Sequence, residues 1–200
     1  MLPKGENAMD IRSKRTKQTI EECFLELLRN KTVSKITVTE ICQLAHINRA
    51  TFYKHYLDIP DLQETMENQI LHQFQEFLQS RAFSHNGTYR DMMLDLLNYS
   101  RQFADSFYAL CSANAASDLA ARVFRLLNEL SFPILKQKLP AVEEPKAKLL
   151  YQYITYGCGC VLSGWLRGEG EMGVEEIADF IMLSSSAVVE AVAGAEKELV

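Results

Sequence analysis

Apolar residues along most of this chain recur three and four positions apart, the mark of helices with one buried face. Ile20, Phe24, Leu27 and Leu28 are spaced this way, and so are Leu62, Met66, Ile70, Phe74 and Phe77. Strict alternation is nearly absent. Ile36, Thr37 and Val38 form one short β-branched cluster. Yet Thr37-Val38-Thr39-Glu40 also reads as a capping box, with Thr37 as N-cap and Glu40 three residues on. The pattern predicts an all-α protein of about nine helices, over 12–30, 37–44, 48–54, 58–81, 88–103, 105–112, 116–138, 145–167 and 174–194. Breaks are expected at 84–87 (SHNG), 140–145 (PAVEEP) and 168–173 (GEGEMG).

The segment 37–56, TVTEICQLAHINRATFYKHY, is the most informative. It divides into a short capped helix, a tight turn at Ala45-His46-Ile47, and a second short helix capped by Asn48. Ile41, Leu44, Ile47, Phe52 and Tyr56 are placed to hold the two helices together at a steep angle, as in a helix-turn-helix. In that motif the second helix enters the major groove of DNA. Its residue types suit the task. Arg49 can fork onto guanine O6 and N7. Thr51, Tyr53, Lys54 and His55 carry donors for phosphate oxygens, and the helix start offers free N–H groups. A small helical hairpin with a polar outer face fits the same residue types.

Charge sharpens the picture. The 200 residues carry a net charge of −5, which by itself argues against a polyanionic partner. Residues 1–56, however, hold ten Lys and Arg against six Asp and Glu, giving +4 and leaving −9 for the rest. A basic head on an acidic body is expected when only the head meets nucleic acid. The division expected is a DNA-binding domain over 1–57 and a helical body over 58–200, joined without a linker. Arg12, Lys14, Arg15 and Lys17 are either a solvated helix start or an arm on the flanking DNA backbone.

Composition excludes several classes. With 48% hydrophobic and 24% charged residues the chain is not of a disordered type. The five cysteines show no disulfide framework, and Cys158 and Cys160 would point about 200° apart on a helix. The four histidines are dispersed, so no metal site and no cofactor are expected. The chain has no glycine-rich phosphate loop, no G-x-S-x-G and no H-E-x-x-H, so an enzyme is not expected. Residues 1–10 lack an apolar signal core. No uninterrupted apolar run reaches membrane length, the nearest being 151–166. The expectation is a cytoplasmic protein that does not engage a membrane.

The segment resembles the DNA-binding head of the TetR/AcrR family of bacterial transcriptional regulators. The match runs from a basic first helix (12–30) through Ile36-Thr37-Val38-Thr39-Glu40-Ile41 to Leu44-Ala45, then Ile47-Asn48-Arg49-Ala50-Thr51-Phe52-Tyr53-Lys54-His55-Tyr56. The resemblance implies that Arg49 and Ala50 face bases and that Thr51, Tyr53, Lys54 and His55 face backbone or flanking bases. It implies that Thr37 holds a phosphate, with Asn48 completing the DNA-facing set. Two positions depart from the pattern. His46 stands in the turn where the family often has glycine. Ile59 stands at the start of the fourth helix where the family often has a phosphate-gripping lysine, so Asp58 reads as a helix cap.

The body, rich in aromatic residues, reads either as packed core or as the wall of an apolar cavity with a few hydroxyls. The resemblance implies an effector pocket there, with Tyr99, Phe103, Phe107, Cys111, Phe124, Tyr153 and Tyr156 as candidates. Gly157, Cys160 and Gly164 share one face of helix 145–167, and Ile177, Ile181, Ser184 and Val188 form a stripe on 174–194. These are the candidate dimer contacts, since the resemblance implies a four-helix bundle built from the last two helices of each copy. Ordinary internal packing is the other reading. The function implied is a homodimeric, ligand-responsive regulator, a repressor released from an inverted-repeat operator by a small molecule. The alternative is a helical interaction protein that keeps the fold and binds a protein partner instead of DNA.

Overall fold

The computed structural model describes residues 8–82, 88–113, 118–169 and 171–198, and these contain eight α-helices and no strand. They are α1 (Ala8–Leu28), α2 (Val38–Leu44), α3 (Arg49–Phe52), α4 (Ile59–Phe77), α5 (Tyr89–Ala113), α6 (Leu119–Lys138), α7 (Glu144–Leu166) and α8 (Val174–Glu198). A 3₁₀ turn (Val33–Lys35) precedes α2, and a π turn (Leu78–Ala82) follows α4. One helix fewer forms than the nine expected. The segments read as 88–103 and 105–112 are a single helix, α5, because Phe103-Ala104-Asp105 holds no glycine or proline to stop it. The break expected at 84–87 lies outside the described residues.

The chain forms two compact units. The first comprises residues 1–70 and 105–119; the second comprises 71–104 and 120–200. The division therefore falls within α4 and α5, whereas the change of charge falls near residue 57.

In the first unit α1 packs on α2 and α2 on α3. Ile20, Phe24 and Leu28 of α1, Ile41 and Cys42 of α2, Phe52 of α3 and Leu62 of α4 are all buried. Apart from Cys42 these are positions that the apolar spacing singles out, whereas Leu44, expected to join the two helices, is 39% exposed at the end of α2, and Ile47 is half-buried. Ile59 is buried as well, only 8% exposed. The position at which the related pattern has a lysine is therefore part of the core here.

In the second unit two apolar clusters hold the helices. Met93 and Leu97 of α5 meet Ile177, Ala178 and Ile181 of α8. Leu139, Val142, Ala147 and Leu150 form the other, with Phe132, Ile154, Val188 and Val192 packed against it. Gly159 lets α7 approach the Phe124 ring so closely that a Cβ there would stand 2.7 Å from it. Lys136 closes the α6–α7 turn by donating to the carbonyls of Leu139 and Val142. Among the described residues α8 is the one helix long and apolar enough to cross a membrane by length and composition. Sequence reading had placed the nearest such run in α7 instead.

Candidate nucleic-acid interface

The helix-turn-helix is fixed by backbone hydrogen bonds at each joint. Thr37 caps α2. Its hydroxyl accepts from the Glu40 N–H at 3.3 Å, while the Glu40 carboxylate accepts from the Thr37 N–H and hydroxyl, each at 2.9 Å. Lys31 donates to the other Glu40 oxygen. That contact, followed by the Thr37 bonds, holds the Glu40 carboxyl below its ordinary pKa range.

At the other end of α2 the Ile47 N–H bonds the Cys42 carbonyl and the His46 N–H bonds the Gln43 carbonyl. This is the Schellman pattern, with His46 in its left-handed position at φ +52°. Two residues later Asn48 caps α3, its side-chain oxygen accepting from the Thr51 N–H at 2.7 Å and the Thr51 hydroxyl at 2.9 Å. One turn ends a helix, and the very next residues start another. That fixes the angle between α2 and α3.

Behind α3, Tyr56 anchors it to the rest of the head. The phenol donates to Glu21 of α1 at 2.7 Å, and its ring lies under Lys17. Burial and then the Glu21 bond raise the Tyr56 pKa well above the usual tyrosine range.

Thr37, Asn48, Arg49, Ala50, Tyr53 and Lys54 all reach the surface, with Thr51 and His55 half-buried beside them. The structure thus brings the expected DNA-facing residues to the α2 start, to α3 with its Asn48 cap, and to the turn at 53–55, since the helix expected over 48–54 is shorter, Arg49–Phe52. It also shows which of their donors are already engaged. The Thr37 hydroxyl donates to Glu40 and the Thr51 hydroxyl to Asn48. Arg49 donates to the Tyr53 hydroxyl at 3.1 Å. At the start of α4, Asp58 accepts from the Asp61 N–H and Asp61 accepts from the Leu57 N–H. Two carboxylates therefore cap the start of α4 on either side of the buried Ile59, the position at which the related pattern has a lysine.

The candidates in the body separate more widely. Tyr99 and Phe103 stack with Phe77, at 4.2 Å and 4.7 Å between successive centroids. Burial pushes the Tyr99 phenol up to about 12. Phe124 meets Tyr156 at 4.5 Å. Phe107 and Cys111 belong to the first unit, the other five candidates to the second. Tyr153 is 71% exposed, and Tyr156 is about half exposed. Those two lie on an outer face of α7, not on an inner wall.

Among the expected dimer contacts Ile177 and Ile181 need correcting. They are 0% and 2% exposed within the single chain, locked against Met93 and Leu97, and leave no surface for a second copy. Val188 is half-buried in the other cluster, and the open side of Gly164 faces the chain's own Glu169. Gly157, Cys160 and Ser184 are exposed. With them lie residues that sequence reading missed: Leu149 on α7, and Phe180 and Leu183 on α8, all large and exposed. Their spacing was a usable signal. Leu149, Tyr153, Tyr156 and Cys160 form one α7 face; Phe180, Leu183, Ala187 and Ala191 form one α8 face.

Comparison with known proteins agrees with this arrangement. Residues 87–185 match the family described as transcriptional regulator C-terminal region, TetR_C_8. Over 62 residues the chain is 37% identical to the uncharacterised HTH-type transcriptional regulator YxbF of Bacillus subtilis (strain 168), a match taking in 30% of this chain and 16% of that protein. The crystal structure of a TetR transcriptional regulator from Streptococcus agalactiae 2603V is similar with a TM-score of 0.64 at 26% identity, covering 90% of this chain and 99% of that one. NalD of Pseudomonas aeruginosa, the secondary repressor of the MexAB-OprM multidrug efflux pump, shares the fold with a TM-score of 0.59 at 16% identity, over 88% and 96% of the two chains. A capped helix-turn-helix presenting Arg49, Tyr53 and Lys54, followed by a helical body of this kind, places the chain in the TetR family of transcriptional regulators.

Proposed function

We propose that this protein is a homodimeric, cytoplasmic repressor that binds an inverted-repeat DNA operator and is released from it by a small molecule. The observation that carries the reading is the surface of α3. Arg49 opens α3, and Tyr53 and Lys54 follow in its C-cap and the turn after it, all three exposed, and the start and approach of α3 are fixed by Asn48 and the His46 turn. Arg49 reads base edges, and Lys54 meets phosphate. Thr37 acts chiefly as the cap of α2 and Thr51 as the donor that fixes the Asn48 cap of α3, since each hydroxyl already has an acceptor within the head.

The repressor assignment takes its support from the fold shared with NalD. The dimer takes its support from the exposed apolar faces of α7 and α8, which a second copy would cover in a two-fold arrangement. For the effector, the stacked rings of Phe77, Tyr99 and Phe103 favour an apolar or aromatic molecule. DNA and effector would prefer different states of the dimer, so each weakens the other by the same coupling energy.

The test is selection of duplexes from a random pool by the full chain. An inverted repeat should be enriched, and Arg49→Ala should cost about 1–3 kcal/mol on it while relaxing one base pair per half-site. A pool that stays random after selection would refute the reading.

A further inference from the structure

Arg49 and Tyr53 stand one turn apart, and their side chains are joined. An Arg49 Nη donates to Tyr53 Oη at 3.1 Å, and the guanidinium carbon lies 5.9 Å from the ring centre. The ring is itself held, edge-on to the fully buried Phe52 with 5.6 Å between centroids and 89° between planes. A solvent-exposed arginine otherwise samples many rotamers, and ordering it on a base edge opposes binding. We propose that Tyr53 is the positioning residue for base reading by Arg49. Its phenol tethers one guanidinium nitrogen, so that the remaining N–H groups present a fixed fork to the groove. This rests on the DNA-binding reading above.

The direction of the hydrogen bond adds a second consequence. Tyr53 Oη accepts from Arg49 and keeps its own proton to donate. Accepting from a cation strengthens that donation. A phosphate oxygen beside the groove is the natural acceptor for a phenol at this position. One hydroxyl then links the backbone contact that sets register to the side chain that reads sequence.

The test uses a duplex enriched from a random pool by the wild-type full chain, together with its single-base-pair variants. Affinities are measured for wild type, Arg49→Ala, Tyr53→Phe and the double variant. Tyr53→Phe removes one oxygen from an exposed side chain and leaves the ring on Phe52. Arg49→Ala should lose about tenfold in discrimination at one base pair per half-site. Tyr53→Phe should lose about three- to fivefold at that same pair, with the dependence on salt unchanged because no charge is removed. The double variant should discriminate no worse than Arg49→Ala alone, the non-additivity of groups that act together. Equal weakening on every duplex by Tyr53→Phe, or additive losses, would overturn the inference and leave the DNA-binding reading standing. A wild-type chain that enriches no sequence would remove that reading and the inference with it, and is seen before any variant is made.

Discussion

His46 and Gly168 occupy the same position in two copies of one hydrogen-bond pattern. At the end of α7 the Glu169 N–H bonds the Gly164 carbonyl and the Gly168 N–H bonds the Trp165 carbonyl, with Gly168 at φ +79°. At the end of α2 the equivalent residue is His46 at φ +52°. A left-handed conformation costs a residue with a Cβ about 1–2 kcal/mol, against about 0.5–1 kcal/mol of extra chain entropy for glycine. His46→Gly is therefore expected to raise stability by about 0.5–1 kcal/mol, or roughly 1–4 °C in melting temperature for a chain of this size. Thermal unfolding checks this. A lower melting temperature would mean that the exposed imidazole makes a contact worth more than the strain. The turn itself was legible in a few residues, because Asn48 just after Ala45-His46-Ile47 reads as the cap of a new helix. That His46 takes the left-handed place comes from the same local chemistry.

The elements that sequence reading located well are those whose ends are decided locally. The Thr37 box, the His46 turn and the Asn48 cap each depend on residues no more than six apart. Two features depended on more than that. The lack of glycine and proline around residue 104 permits one helix across it without requiring one, and α5 proved continuous. On α8 two apolar stripes run side by side, Ile177–Ile181 and Phe180–Leu183–Ala187, and periodicity cannot say which one faces inward. Packing decided that, through Met93 and Leu97.

The start of α2 also yields a pH prediction. Glu40 is held below its ordinary pKa chiefly by Lys31, then by Thr37, so its ionised form stabilises the folded head. That contribution is complete above the ordinary glutamate pKa and disappears as pH falls through the lowered value. Wild type should exceed Glu40→Gln in stability at neutral pH, and the gap should close on the acid side. Chemical denaturation across pH 3–7 measures it (the window is set by an ordinary glutamate value of about 4.3). A gap that persists below the glutamate range would assign the stabilisation to something other than the carboxylate charge.

At the scale of the whole molecule, the charge and apolar surfaces are segregated. The positive charge lies in the residues that include the helix-turn-helix, and the exposed large hydrophobics concentrate on α7 and α8. Leu149, Tyr153, Tyr156, Phe180 and Leu183 are more apolar surface than isolated exposed residues explain, and small Gly157, Cys160 and Ala187 lie among them. Small residues let helices approach; large ones give the approach its apolar contact. A second copy related by a two-fold axis would cover both faces at once, and an inverted-repeat operator requires that symmetry. Two substitutions only two residues apart on α8 separate this from ordinary packing. Ile181→Arg puts a charge into a site 2% exposed against Met93 and Leu97, and should unfold the second unit whether or not a dimer exists. Leu183→Arg changes a side chain that is 74% exposed in the single chain, and should leave the fold of each copy intact. In the dimer the same arginine would be buried without a partner, at a cost of about 3–5 kcal/mol for each copy. Leu183→Arg should therefore sediment as a folded monomer at micromolar concentration where wild type is a dimer. Its affinity for the full inverted repeat should fall toward that for a half-site, because the second head no longer binds at the effective concentration that linkage supplies. A Leu183→Arg protein that remains dimeric, with unchanged operator affinity, would place the interface elsewhere on the chain.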